Sequence, residues 1–191
     1  AISNQFYNIC KLSNINFNEI VSLMKHNYPR MKDLPSAGFA AGPCLYKDTI
    51  QLSSFSKNNF SLGNDALKVN EGFIYSIVDE LKNNYELKNL NVGLLGMSFK
   101  ANSDDIRASL SYKLKKQLKF KVKNVYTHDP HVKNDKELIS INNIIKKSKV
   151  LILCVPHDYY KKINFKKKPI IDVWGYLTTK KRLKAYKYHL K

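Results

Sequence analysis

From Asn89 onward the sequence alternates short apolar runs with longer helix-patterned segments, and this alternation constrains its fold more than any other feature. The apolar runs are Asn91-Val-Gly-Leu-Leu-Gly96, Val122 to Thr127, Val150 to Val155 and Pro169 to Val173. Between them, Ile106 to Leu118 and Asp135 to Lys147 carry helical patterns. Strands separated by helices of roughly 10–15 residues predict βαβ units and a parallel sheet. Val150 to Val155 is apolar throughout rather than alternating, as a strand buried on both faces should be. The expected class is α/β, with a Rossmann-like, doubly wound parallel sheet.

The preceding residues predict helix and loop only. Ile2, Phe6, Ile9 and Cys10 recur at helical spacing over residues 1 to about 13. Asn16, with Glu19 three residues on, caps a short helix whose apolar face is Ile20, Val21 and Met24. Pro29, Pro35, Gly38, Gly42 and Pro43 keep Tyr28 to Pro43 irregular. A helix restarts near Leu45 and runs to about Lys57, and Asn58 to Asn64 reads as a loop. The longest helix is expected over Asp65 to Asn84, with Val69, Phe73, Ile74, Ile77 and Leu81 on one stripe. Two units follow: an all-helical one over residues 1–88 and an α/β one over 89–191.

Composition removes several function classes. Hydrophobic residues make up 43% of the 191, enough for a packed core. No apolar run approaches the roughly 18 residues of a membrane span, and no basic-then-apolar pattern of a signal peptide is read in these residues. The net charge of +18 raises the question of nucleic acid. The lysines are spread along the chain, with a cluster at Lys166, Lys167 and Lys168, and no aromatic-interleaved binding motif accompanies them. A nucleic-acid partner is therefore not expected, whereas a basic face would draw in an anionic small molecule. Cys10, Cys44 and Cys154 form neither metal spacing nor a disulfide framework, which favours a reducing cytoplasm. Cys10 and Cys154 sit in apolar surroundings and read as core. His128 and His131 flank Asp129-Pro130 at a strand end, with no further ligand to suggest a metal. His157 and Asp158 read as a structural loop, and Trp174 and Tyr176 could stack or pack.

Ser36-Ala-Gly-Phe-Ala-Ala-Gly-Pro-Cys-Leu-Tyr-Lys-Asp48 is the most informative segment. Glycines and small residues let a backbone come close to a ligand and offer free N–H groups to oxygen atoms. Cys44 opens a helix, where the positive end of the dipole and Lys47 favour a thiolate. Asp48 lies one turn on, on the same side. The residues alone leave two readings: a covalent-catalysis pair, or a helix cap with a half-buried cysteine.

Gly38-Phe-Ala-Ala-Gly-Pro-Cys-Leu-Tyr-Lys-Asp48 resembles the glycine-rich loop and catalytic cysteine of the UDP-glucose/GDP-mannose dehydrogenase family. Val92-Gly-Leu-Leu-Gly-Met-Ser-Phe-Lys100, with Asn102-Ser-Asp-Asp-Ile-Arg-Ala-Ser109, resembles the opening of its UDP-binding domain. Thr127-His-Asp-Pro-His-Val132 and Asp172-Val-Trp-Gly175 resemble its second and last strand ends, all four blocks in the same order. The resemblance implies oxidation of a nucleotide sugar's C6 alcohol to a carboxylate with NAD as cofactor, through a thiohemiacetal and a thioester on Cys44. Asp48 would move protons in the hydrolysis. The Gly38, Phe39, Ala40, Ala41 and Gly42 backbone would cradle sugar and diphosphate. Phe99 and Lys100 would touch the nucleotide, unless Lys100 is simply solvated. Lys47 would lie on the nicotinamide side. Arg107, opening a helix, would reach the dinucleotide's phosphates or else pair with Asp104 or Asp105. Arg30 takes the place of an arginine lent to a neighbouring subunit's site, and Asn4 that of an active-site asparagine or a plain helix-face residue. The central helices would pair two subunits.

The sequence also departs from that family. None of its seven glycines forms the G-x-G-x-x-G that holds NAD, and the family's catalytic lysine would fall just before Ala1. A piece of a longer enzyme is expected, binding nucleotide sugar weakly and inactive alone. A non-catalytic nucleotide-sugar-binding module is the alternative. UDP-glucose, UDP-N-acetylglucosamine, UDP-N-acetylmannosamine and GDP-mannose all remain open as the sugar.

Overall fold

The computed structural model describes residues 1–177. It opens with α1 (Ile2–Leu12) and α2 (Phe17–Lys25), followed by a 3-10 turn at Pro29–Met31. Helices α3 (Pro43–Phe55) and α4 (Ser61–Asn84) complete the helical part. Strand β1 (Asn91–Leu95), α5 (Leu110–Lys119), β2 (Asn124–His128), α6 (Ile141–Lys147), β3 (Val150–Leu153), α7 (Asp158–Lys161) and β4 (Ile170–Ile171) then alternate. The four strands form one parallel sheet in the order β2-β1-β3-β4. Residues 178–191, the end of the expected α/β unit, lie outside the described residues.

Two apolar clusters lie on opposite faces of the sheet, because successive strand residues point to opposite sides. Val92, Leu94, Val150 and Ile152 pack with Leu110, Leu114 and Leu118 of α5 and with Phe73, Ile77 and Leu81 of α4. Leu95, Leu151 and Leu153 pack the other way, against Ile144 and Ile145 of α6 and Tyr160 of α7. With helices on both faces, the sheet is doubly wound as the sequence predicted. The first cluster continues into Tyr7, Phe17, Val21 and Phe39, so the helical segment and the sheet share one core.

Four elements differ from the sequence reading, the first being α4, which begins at Ser61 inside the stretch read as a loop. In α1 the buried residues are Ser3, Asn4 and Tyr7, while Ile2 and Ile9 are 66% and 56% exposed. The irregular chain beside this helix needs partners for its backbone, and Ser3 Oγ donates to Pro35 O at 2.8 Å. Helix α5 begins at Leu110, four residues later than Ile106. Ser109 is its cap, with Oγ accepting from Ser111 N–H. Ahead of it, Asp105 Oδ1 accepts from Arg107 N–H, an Asx turn that holds residues 105–107 outside the helix. Helix α6 likewise starts at Ile141 behind Ser140, since Asp135 folds its own turn by accepting from Glu137 N–H.

Candidate functional site

The glycine loop at residues 36–42 is held from beneath by two buried asparagines. Gly38 N–H donates to Asn4 Oδ1 at 2.8 Å, and Asn4 Nδ2 donates to Gly38 O at 3.0 Å. Asn70 of α4, 5% exposed, donates through Nδ2 to Ala40 O. Its Oδ1 is buried without a hydrogen-bond partner among the described residues. An orphaned buried acceptor costs about 1–3 kcal/mol, so Asn70 is held there by the contact its other edge makes. Phe39 turns its ring into the core against Phe73, at 5.9 Å between centroids, so this residue offers a ligand its backbone.

From above, the loop meets the ends of two strands. A Cβ on Gly38 would stand 2.5 Å from the Trp174 ring, just beyond β4. Gly42 has φ +126°, and a Cβ there would stand 3.0 Å from the Phe99 ring, just beyond β1. Both glycines are therefore places of close approach. Gly42 is also the N-cap of α3, which puts Pro43 in the first turn and Cys44 beside it.

Cys44 is exposed. The Arg107 guanidinium is held above its ordinary range first by hydrogen bonds to Asp105 and also by the charge of nearby Cys44. The structure thus brings Arg107 near the thiol, where it is held by the Asp105 carboxylate at 2.7 Å. Of the two sequence readings of Arg107, the pairing with an aspartate is the one seen, and its partner is Asp105. Arg107 stands in the exposed loop before α5 rather than opening that helix. Lys47 Nζ lies 3.2 Å from Asp48 Oδ1, both side chains well exposed. A surface pair like this holds weakly and leaves Asp48 accessible. Lys100 lies 5.6 Å over the Phe99 ring. Cys44, Lys47, Asp48, Phe99, Lys100 and Arg107 are thus carried by two neighbouring segments that touch at Gly42 and Phe99. Arg30 sits exposed on the 3-10 turn, and no hydrogen bond or ion pair among the described residues joins it to the loop.

The strand ends carry a buried polar network that the sequence reading passed over. Asp129 Oδ2, after β2, accepts from the N–H groups of Met97 and Ser98 at 2.6 and 3.1 Å, and Oδ1 accepts from His131 and Val132. Burial alone would raise this carboxyl. The hydrogen bonds from His157, Met97 and His131 hold it well below the usual carboxylate range instead. The first turn after β1 is where a dinucleotide's diphosphate sits in a Rossmann crevice. Here the N–H groups at that place are already taken by Asp129, so the crevice of this sheet does not fit NAD. Asp129 and His157 were legible only as polar residues following apolar strands, and Asn70 only as a polar residue within the buried stripe of α4. Among the described residues there is no cluster of three or more metal-ligating side chains, and no helix is long and apolar enough to cross a membrane.

Residues 93–179 match the UDP binding domain of the UDP-glucose/GDP-mannose dehydrogenase family. The chain is 27% identical over 173 residues to a UDP-N-acetyl-D-mannosamine dehydrogenase of Pyrococcus horikoshii, covering 86% of this chain and 40% of that protein. It is 24% identical over 196 aligned residues to an NDP-N-acetyl-D-galactosaminuronic acid dehydrogenase of Ralstonia solanacearum, covering 97% and 46%. Among solved structures, a UDP-D-ManNAc dehydrogenase from Pyrococcus horikoshii superposes with a TM-score of 0.77 at 26% identity, over 93% of this chain and 45% of that one. A UDP-glucose dehydrogenase from Pyrobaculum islandicum shares the fold, with a TM-score of 0.77 at 19% identity over 95% and 45%. The chain spans less than half the length of these relatives. Residues 93–179 thus carry the UDP binding domain of the UDP-glucose/GDP-mannose dehydrogenase family, and most of the chain's length is similar in sequence and fold to dehydrogenases that act on nucleotide sugars.

Proposed function

We propose that this chain supplies the nucleotide-sugar half of a nucleotide-sugar 6-dehydrogenase, holding the substrate's diphosphate and sugar over Cys44. The observation that carries this reading is the contact of the Gly38–Gly42 loop with Phe99 and Trp174, beside an exposed cysteine at a helix start. The N–H groups of Gly38 and Ala40 are engaged within the protein, so the rest of the loop's N–H groups are the ones that suit anionic oxygens, with Lys100 and Arg107 adding positive charge around them. The relatives named as UDP-sugar dehydrogenases support a UDP-sugar as the ligand.

The chemistry assigned to this chain is that of sulfur. The Cys44 thiolate forms a C–S bond to the C6 aldehyde carbon, and the carbonyl π pair becomes an oxyanion that takes up a proton. In the closing step water forms a C–O bond to the acyl carbon of the thioester, the C–S bond breaks and the thiolate leaves, with Asp48 accepting water's proton. The two oxidations need a hydride acceptor held outside this chain, and NAD, which the family implies, would supply that chemistry. Since the cofactor does not fit this sheet's crevice, Cys44, Lys47 and Arg107 are proposed to meet it only from outside, and the isolated chain is expected to bind sugar nucleotide without turnover. Exposed Ile2 and Ile9 on α1 and Leu52 and Phe55 on α3 suit self-association through the helical part.

The test is alkylation of Cys44 in this chain with and without UDP, UDP-sugars and GDP-mannose, alongside its melting temperature. Selective protection and a raised melting point with one UDP-sugar are expected. If no nucleotide protects Cys44 or shifts the melting point, the reading falls.

A further inference from the structure

The segment from Ser98 to Ser109 carries Phe99 against Gly42, with Lys100 over the Phe99 ring, and it is fastened from behind at Asn102. Asn102 N–H donates to His157 Nδ1 at 2.9 Å. Asn102 Nδ2 donates to Asp158 Oδ2 at 2.7 Å, and Asp158 N–H donates back to Asn102 Oδ1 at 3.1 Å. Asn102 has φ +53°, a left-handed backbone that reverses the segment two residues after Lys100.

His157 is fully buried, with 0% exposure, and both of its ring nitrogens are engaged. An N–H donating to Nδ1 leaves that nitrogen unprotonated, so Nε2 carries the proton and donates to Asp129 Oδ2 at 3.1 Å. Ser98 Oγ lies 3.3 Å from the same Nε2 and donates to Lys100 O at 2.8 Å. One imidazole thus joins the ends of β1, β2 and β3 to the backbone on either side of Lys100. A ring that only filled core volume would need neither nitrogen.

We propose that His157 is a positioning residue for the nucleotide-facing segment, fixing Phe99 and Lys100 through the backbone N–H of Asn102. The proposal rests on the reading that Phe99 and Lys100 face the nucleotide, and its test separates the two. His157→Asn puts an acceptor oxygen where Nδ1 stands, while Asp129 keeps its four backbone N–H donors. His157→Gln reaches the Nε2 place and leaves the Asn102 N–H without its partner. Asp158→Ala, at an exposed position, removes the acceptor of Asn102 Nδ2 along with those of Tyr176 Oη and Lys161, and leaves the Asp158 N–H to Asn102 Oδ1.

Three quantities are measured on the whole chain: the imidazole nitrogen shifts of His157, amide exchange over residues 99–105, and UDP affinity by calorimetry. The nitrogen shifts should place the proton on Nε2. His157→Gln and Asp158→Ala should speed Asn102 exchange and weaken UDP binding by about tenfold, and His157→Asn should stay within about twofold of the parent. Equal behaviour of the Asn and Gln variants in loop exchange, or a proton on Nδ1, overturns the proposal. If the Gln variant does not fold, the nitrogen shifts and Asp158→Ala decide. If the parent chain binds no UDP, the nucleotide reading falls while exchange alone still decides the positioning.

Discussion

Asn4 and Gly38 exchange two hydrogen bonds across 34 residues of sequence, at 2.8 and 3.0 Å, with both groups buried. The amide of one helix residue thereby satisfies both backbone groups of the residue that opens the glycine loop. Asn4→Leu would leave the Gly38 N–H buried without a partner and Gly38 O with only the Ala40 N–H, at 3.2 Å. A loss of about 2 kcal/mol is expected, read by urea unfolding, together with faster amide exchange in the loop. A change below about 0.5 kcal/mol would mean that the loop finds other partners.

That pairing also marks the limit of what the sequence disclosed. The sheet was legible because its strands are apolar runs of fixed length between helical patterns, and burial on both faces produces that pattern directly. The loop and Cys44 were legible because glycine, proline and a helix start are local signals. What Asn4, Asn70, Asp129 and His157 do was not legible, since each acts on a partner at least 28 residues away. The apolar spacing on α1 pointed to Ile2, Phe6 and Ile9, but the loop's demand for hydrogen bonds turned Ser3 and Asn4 inward. Satisfying backbone groups outweighed burying that stripe.

Gly38→Ala tests the approach of the loop to Trp174. The new methyl would stand 2.5 Å from the indole, and the ring cannot swing away freely because Nε1 donates to Cys154 O at 3.0 Å. Overpacking of this kind costs about 1–3 kcal/mol. Trp174→Leu costs stability by itself, yet the double variant should be more stable than the sum of the two losses predicts. Strict additivity in a double-mutant cycle would show that the two residues do not meet.

The three cysteines should separate under iodoacetamide. Cys44 is exposed, Cys10 half-buried and Cys154 fully buried, where burial pushes its thiol up to about 12. Mass spectrometry of the folded chain at neutral pH should find label on Cys44 first and none on Cys154 until urea is added. Labelling of Cys154 at the rate of Cys44 would contradict the buried strand.

His128 sets the expected dependence of stability on acid. Burial pushes its imidazole down to about 4, with neighbouring Asp129 only partly offsetting this. Unfolding returns it to roughly 6.5, so between these two values the unfolded chain binds more protons than the folded one. Stability is therefore complete above about pH 6.5 and falls as the pH drops toward 4, by on the order of 2–3 kcal/mol. Asp129 does not produce this slope. Its carboxyl is held below the usual range, so it loses its contribution only at lower pH. His128→Phe removes the titration while keeping a ring against Tyr159, stacked at 5.6 Å and 26°. Urea midpoints measured from pH 7 to 4.5 should fall in the parent and stay nearly level in the variant. An equal fall in both would assign the slope to another group.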